Sequence, residues 1–274
     1  MKRQVINKVR GFQTMDGAGV KLVRVLGNQT VDMYDPILML DSFDSLNPDD
    51  YTKGFPMHPH RGIETISLLV NGSMVHKDSL GHSDTISDGE VQWMSTGSGI
   101  LHEELLPASK KMLGVQLWLN MPAKHKMSKP KYKAIKKHEI EEISIEGGIL
   151  RLISGSYKDH VGYTGEYLPL DYYDIRLNPN TKFTIETKQE KSVMVFTLKG
   201  NAKIADELIE EKTAVKLTEG TSLDIESLNE DTIVLFMSSD KLDEPVVWEG
   251  PIVMNSEEQL QTAFRELRNG TFLK

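Results

Sequence analysis

The chain of 274 residues contains no cysteine. Disulfides, thiolate catalysis and every Cys-ligated zinc or iron–sulfur site are therefore excluded, and a bound metal must be held by His, Asp and Glu. Long apolar runs are also missing. No stretch of about eighteen apolar residues occurs, and the opening MKRQVINKVRGF is too polar to contain the apolar core of a secretory signal. A soluble, cytoplasmic protein is expected. Positive charge is in short supply as well: the formal charge of -8 argues against a dedicated nucleic-acid binder, whose affinity rests on neutralising phosphates. Gly97-Ser98-Gly99 stands without the rest of a GxGxxG or phosphate-loop pattern, and no GxSxG elbow occurs.

What is present reads as β-structure. With 39% hydrophobic residues the chain can bury a real core. In ETISLLVNGSMVHKDS, Ile66, Leu68 and Val70 alternate with smaller or polar residues, Asn71-Gly72 supplies a turn, and Met74-Val75-His76 begins a return, the pattern of a hairpin. Asp88-Gly89 marks another turn, followed by a strand over Val91 to Met94 and, after the Gly-Ser-Gly loop, one through Ile100 and His102. Short strands about ten residues apart suggest an antiparallel barrel or sandwich. The lysine-rich run KHKMSKPKYKAIKKHEIEEI reads as a solvated connector at a domain boundary. Beyond it, MVFTLKGNAKIADE, LTEGTSLDIES and DTIVLFMSS repeat the order of the first half: apolar strand, Gly-containing turn, return strand, acidic-Gly turn. The chain closes on a helix, with Asn255 or Ser256 as its cap, Leu260, Ala263, Phe264 and Leu267 as its apolar stripe and Gly270 as its stop.

Five of the eight histidines fall between residues 58 and 102, and none follows His160, so a metal site belongs to the first half. In MHPHRGIET, His58 and His60 are two apart; in ILHEELL, so are His102 and Glu104. Residues two apart on extended chain project to one face. Two such pairs on facing strands converge four side chains that suit Zn, Mn, Fe, Ni or Cu, and on a six-coordinate ion two adjacent positions stay open for chemistry or ligand sensing. Glu64 shares the parity of His60 and competes with Glu104 as the carboxylate ligand. Glu103, one residue out of step, should face away. His76 reads as a strand-surface residue, His82 as a turn residue, and Trp93 and Trp118 as core. Gln116 is a candidate substrate contact, because a buried amide needs a partner.

The segments MHPHRGIETISLLVNGSMVHKDSLG, GEVQWMSTGSGILHEELL, GVQLWLNMP and WEGPIVMNSEEQLQTAFRELRNGTF together resemble the pirins, a branch of the cupin superfamily. The resemblance implies an all-β bicupin of two antiparallel β-barrel (jelly-roll) domains with a short C-terminal helix. Residues 1–133 would form the metal-binding cupin, and residues 134–274 a second cupin without metal that ends in the helix. It implies His58, His60, His102 and Glu104 as metal ligands and ranks Glu104 ahead of Glu64, which matches the ligand position of the wider superfamily. One divalent transition metal is expected, Fe(II) first, with Mn, Ni, Cu and Zn as alternatives. Bacterial-type pirins resemble quercetin 2,3-dioxygenases, which cleave the flavonol heterocycle with O2 and release CO. Glu104 would then be catalytic, accepting the proton of the flavonol 3-hydroxyl. Animal pirins are described as iron-dependent, redox-sensitive transcription cofactors, which implies instead a protein-binding regulator using the lysine-rich run as a charged patch. The expected partners are thus a flavonol-like aromatic and O2, or alternatively a protein, with neither nucleic acid nor membrane.

Overall fold

The computed structural model describes all 274 residues. Twelve strands lead to Ile135: β1 (Val5–Arg10), β2 (Phe12–Asp16), β3 (Val20–Leu26), β4 (Ile37–Ser45), β5 (Phe55–His60), β6 (Ile63–Asn71), β7 (Met74–Asp78), β8 (Ser83–Ile86), β9 (Val91–Ser95), β10 (Ile100–Leu105), β11 (Met112–Asn120) and β12 (Lys131–Ile135). The chain divides into two compact units. The first comprises residues 13–31, 37–137 and 242–274, and the second residues 1–12, 32–36 and 138–241.

In the first unit a seven-stranded sheet runs β12-β9-β6-β11-β4-β3-β2 and a four-stranded sheet runs β5-β10-β7-β8. The core draws on both sheets, joining Leu22, Phe43 and Leu69 with Phe55, Met74 and Ile86. This is a jelly-roll sandwich; neither sheet closes into a barrel. All nine residues of β11 are buried, so its sequence reads as a continuous apolar run broken only where a polar side chain has a task. The expected hairpin at Asn71-Gly72 is instead a corner. β6 belongs to the larger sheet and β7 to the smaller, and the chain changes sheets between them. Gly72 makes the corner at φ +112° and donates its N–H to Asp88 Oδ1 at 2.7 Å. The turn chemistry in the sequence announces a reversal, but not whether the strands it joins pair with each other.

The second unit repeats this order. Its larger sheet runs from β1 through Thr213–Leu217, Ser192–Lys199, Thr232–Ser239, Leu170–Leu177 and Gly148–Ser154 to Glu141–Ile145, and its smaller sheet through Lys182–Glu186, Ser222–Ser227, Ala202–Ile204 and Glu207–Ile209. The strands standing where the first unit has β5 and β10 carry Phe183, Ile185, Leu223 and Ile225 on their inner face, all within one apolar cluster. Where the first unit places imidazoles, the second places hydrocarbon.

A single cut at 133/134 does not describe the chain. The main division lies at 137/138, and each terminus crosses to the other unit. β1 pairs along Thr213–Leu217 and so covers an edge of the second unit's larger sheet. The closing helix, Glu257–Asn269, packs within the first unit. Its stripe residues Leu260 and Ala263 pack on Ile252 and Met254 of the C-terminal hairpin (Val247–Glu249 and Ile252–Met254) and on Phe272. Ser256 Oγ caps it by accepting from Gln259 N–H at 3.3 Å, and Gly270 ends it at φ +71°. Arg61 ties this segment down: its guanidinium donates to Ser98 O at 2.7 Å, Phe272 O at 3.0 Å and Glu266 Oε2 at 2.7 Å. No helix is long and apolar enough to cross a membrane.

Candidate metal centre

β5 and β10 are antiparallel neighbours that set His102 opposite His58 and Ile100 opposite His60. The rings of His58, His60 and His102 meet with centroids 4.4 to 5.1 Å apart, and one nitrogen from each lies within 4.8 Å of the others. Which nitrogens face inward follows from the outer hydrogen bonds. His58 Nδ1 donates to Pro56 O at 2.8 Å and His60 Nδ1 to Pro251 O at 3.0 Å. A carbonyl only accepts, so with one proton per ring both Nε2 atoms carry bare lone pairs. Those two atoms face each other at 3.0 Å, and His102 Nε2 is buried with no partner at all. Burial, and then the neighbouring His58, pull His60 down to about 3; burial and the surrounding histidines hold His102 well below its ordinary value.

Neutral imidazoles with converging lone pairs repel unless a cation sits between them. Bonds of about 2.1 Å at a right angle would place two ring nitrogens about 3.0 Å apart. That is the His58–His60 separation, so the trio fits a divalent metal with room for further ligands.

Glu104 is buried two residues beyond His102 on β10 but is not part of the close trio, and its carboxylate is turned onto amides. Gln116 Nε2 donates to both of its oxygens at 3.1 Å, and Gln92 Nε2 donates to Oε1. The amide of Gln116 also reaches Ser67 Oγ at 3.2 Å, so the partner foreseen for it is internal. These groups form a row. Arg24, Asp41, Gln116, Ser67 and Gln92 are paired directly across β3, β4, β11, β6 and β9, hence on one face of the larger sheet. At its outer end Arg24 holds Asp41 through two bonds, of 3.0 and 2.7 Å, and Asp16 at 2.7 Å.

Glu64 lies on β6 and accepts from Ser95 Oγ, its cross-strand neighbour. Alternation from Ser67 puts it on the opposite face of the sheet from Gln116. Counting parity from His60 fails because Arg61-Gly62 intervenes as a turn, with Gly62 at φ +82°. His76 is no surface residue: it is fully buried and stacks on Tyr132 at 4.1 Å. His82 is exposed, as expected of a turn residue, and bonds to Asp78.

A cavity of about 460 Å³ opens over His58 and His60, walled by Met39, Gln116, Trp118 and Trp248. Trp118 meets the His60 ring edge-on at 5.0 Å, and Trp248 lies 5.5 Å from Trp118. Trp118 is buried in an apolar cluster with Leu38, Met39, Ile63 and Val253, as a core residue should be, and on the face it shares with Gln116 it also walls the cavity. Trp93, adjacent to Gln92 on β9, faces the other way and is buried. Arg24 carried no sequence signal, and the segment that opens at Trp248 gave none of lying here, since only the fold brings both to the cavity.

The pirin family model matches residues 19–119, and that of the pirin C-terminal cupin domain matches residues 172–273. The chain belongs to the pirin family. Among relatives, the pirin-like protein of Caulobacter vibrioides is 37% identical over 98% of this chain and 99% of its own. Human pirin is 33% identical over 97% of this chain and 93% of its own. Among solved pirin-like structures, the quercetin 2,3-dioxygenase of Acinetobacter baumannii superposes with a TM-score of 0.92 at 31% identity, covering 99% of both chains.

Proposed function

We propose that this pirin is a metal-dependent dioxygenase that opens the heterocycle of a flavonol such as quercetin, consuming O2 and releasing one ring carbon as CO. The observation that carries the reading is the trio of unprotonated imidazole nitrogens, half-buried at His58 and buried at His60 and His102, beneath a cavity with tryptophan walls. The similarity to a quercetin 2,3-dioxygenase over the whole chain supports the choice of substrate class. His58, His60 and His102 would hold one divalent transition metal, Fe(II) first, with Glu104 beside them as the fourth ligand. When bound, the metal supplies Lewis-acid activation of the flavonol's 3-hydroxyl and adjacent carbonyl. The chain supplies the rest. Trp118 and Trp248 offer flat apolar surface to a planar ring, and the 460 Å³ cavity is of the size that takes small ligands. Glu104 accepts the 3-hydroxyl proton, while Gln92 and Gln116 hold its carboxylate in place.

The regulator reading drew on the lysine-rich run, and that run is folded. Lys126 is buried, its ammonium pulled down to about 7 by burial and bonded to Gly62 O, Asn120 Oδ1 and Val253 O. Lys136 bonds to Asp84, and β12 is a sheet edge. Less of it remains for a basic docking patch, which favours the catalytic reading.

The test is quercetin absorbance with CO detection on protein stripped and reloaded with Fe, Mn, Ni, Cu or Zn. Metal-dependent decay with CO release is expected. Protein that holds one metal per chain and leaves quercetin untouched would overturn the proposal.

A further inference from the structure

The three imidazoles are not supported alike. His58 and His60 have their tautomers set by backbone carbonyls, those of Pro56 and Pro251. His102 has no such carbonyl; its Nδ1 faces Nδ1 of His76 at 3.5 Å. His76 lies on β7, paired with β10 so that His76 and Asp78 share the inner face with His102 and Glu104. Its Nε2 is 2.9 Å from Asp78 Oδ2, and both side chains are fully buried. Asp78 is pinned in turn by the backbone N–H groups of Leu80 at 2.8 Å and His82 at 3.1 Å, and by His82 Nδ1 at 2.9 Å. Tyr132 stacks over His76 with 14° between the rings and fixes its plane.

The direction of this chain follows from what each atom can donate. An ionised carboxylate only accepts, so the proton between Asp78 and His76 sits on His76 Nε2. With that as its one ring proton, His76 Nδ1 is an acceptor, and His102 must donate to it from Nδ1. The bare lone pair of His102 is then on Nε2, the atom left without a protein partner. We propose that Asp78 and His76 are positioning residues which fix the tautomer of His102 and present its Nε2 lone pair to a divalent cation. The inference rests on the reading of the trio as a metal site, and it assigns a role to two buried residues that neither bind the metal nor touch substrate. Outer partners of metal-bound histidines act in this way, setting ring orientation and ligand basicity.

Two measurements test it independently. Nitrogen-resolved NMR of the histidine rings in metal-free protein should show His102 protonated at Nδ1 and not at Nε2. Co(II) affinity, by competition with a chelator, should fall about 10- to 100-fold in His76→Phe, which keeps a ring against Tyr132 but removes the acceptor. The visible spectrum of bound Co(II) should shift with it. His76→Asn, whose Oδ1 is bonded to Cγ as Nδ1 is and so can accept from His102 Nδ1, should recover most of the loss. A wild-type His102 protonated at Nε2 would overturn the proposal, as would unchanged Co(II) affinity in folded His76→Phe. If wild-type protein binds no Co(II), the metal reading fails, and the tautomer spectrum still decides the relay. Should His76→Phe not fold, that spectrum and the Asn variant carry the decision.

Discussion

His60 and His102 are buried as neutral rings, and this makes the metal-free fold sensitive to acid. An unfolded histidine takes a proton near pH 6.5, whereas His60 in the fold resists until about 3. Below pH 6.5 the unfolded chain therefore binds protons that the folded chain refuses. Stability is full above that pH and is lost as pH falls toward 3, by roughly 2 kcal/mol between 6.5 and 5 from His60 alone. His102 shifts in the same direction and adds to the slope. Thermal melts of metal-free protein at pH 7.5 and 5.0 should show the drop; equal midpoints would contradict it. For Glu104, the Gln variant preserves shape and an acceptor oxygen for Gln116 but removes the proposed base. Turnover should fall about 100-fold or more while metal content, measured by elemental analysis, falls far less. At this scale the two i, i+2 pairs were legible because both lie on extended chain. Glu64 was not, because a turn resets parity, and His76 was not, because alternation gives the two faces of a strand without saying which one is covered.

The C-terminal helix could be delimited from its cap, stripe and terminal glycine, but an apolar stripe does not name the surface it seeks. That surface includes Arg61, one residue from a candidate ligand. Its guanidinium, buried and bonded to two carbonyls and Glu266, should be costly to remove. Arg61→Met is expected to lose roughly 2–3 kcal/mol in urea unfolding, because Ser98 O and Phe272 O lose their donors. Loss of less than about 0.5 kcal/mol would mean that water replaces the guanidinium at no penalty. The Asn71-Gly72 corner teaches the same lesson for strands: local chemistry fixes the bend, and pairing is decided by the opposite sheet.

For the whole molecule, the duplication was legible because each half repeats its order of strands and turns, and the missing histidines of the second half match the hydrocarbon at its equivalent positions. The exchange of termini was not legible, since it depends on contacts between residues far apart in sequence. It predicts that a fragment ending at residue 137 will not behave as a domain. Ile63 and Trp118 would lose Val253 and Trp248, and Leu101 would lose the C-terminal hairpin. Such a fragment should be poorly soluble and lack the cooperative melt of the intact chain, as expression trials and circular dichroism would show.

The carbonyl that orients His60 belongs to Pro251. On the ribosome, all three imidazoles leave the exit tunnel long before that residue is joined to the chain. Until then His60 has no fixed acceptor, and the wall that includes Trp248 does not exist. A stalled or prematurely released chain therefore carries the three histidines without the carbonyl that orients His60 and without the tryptophan wall of the cavity.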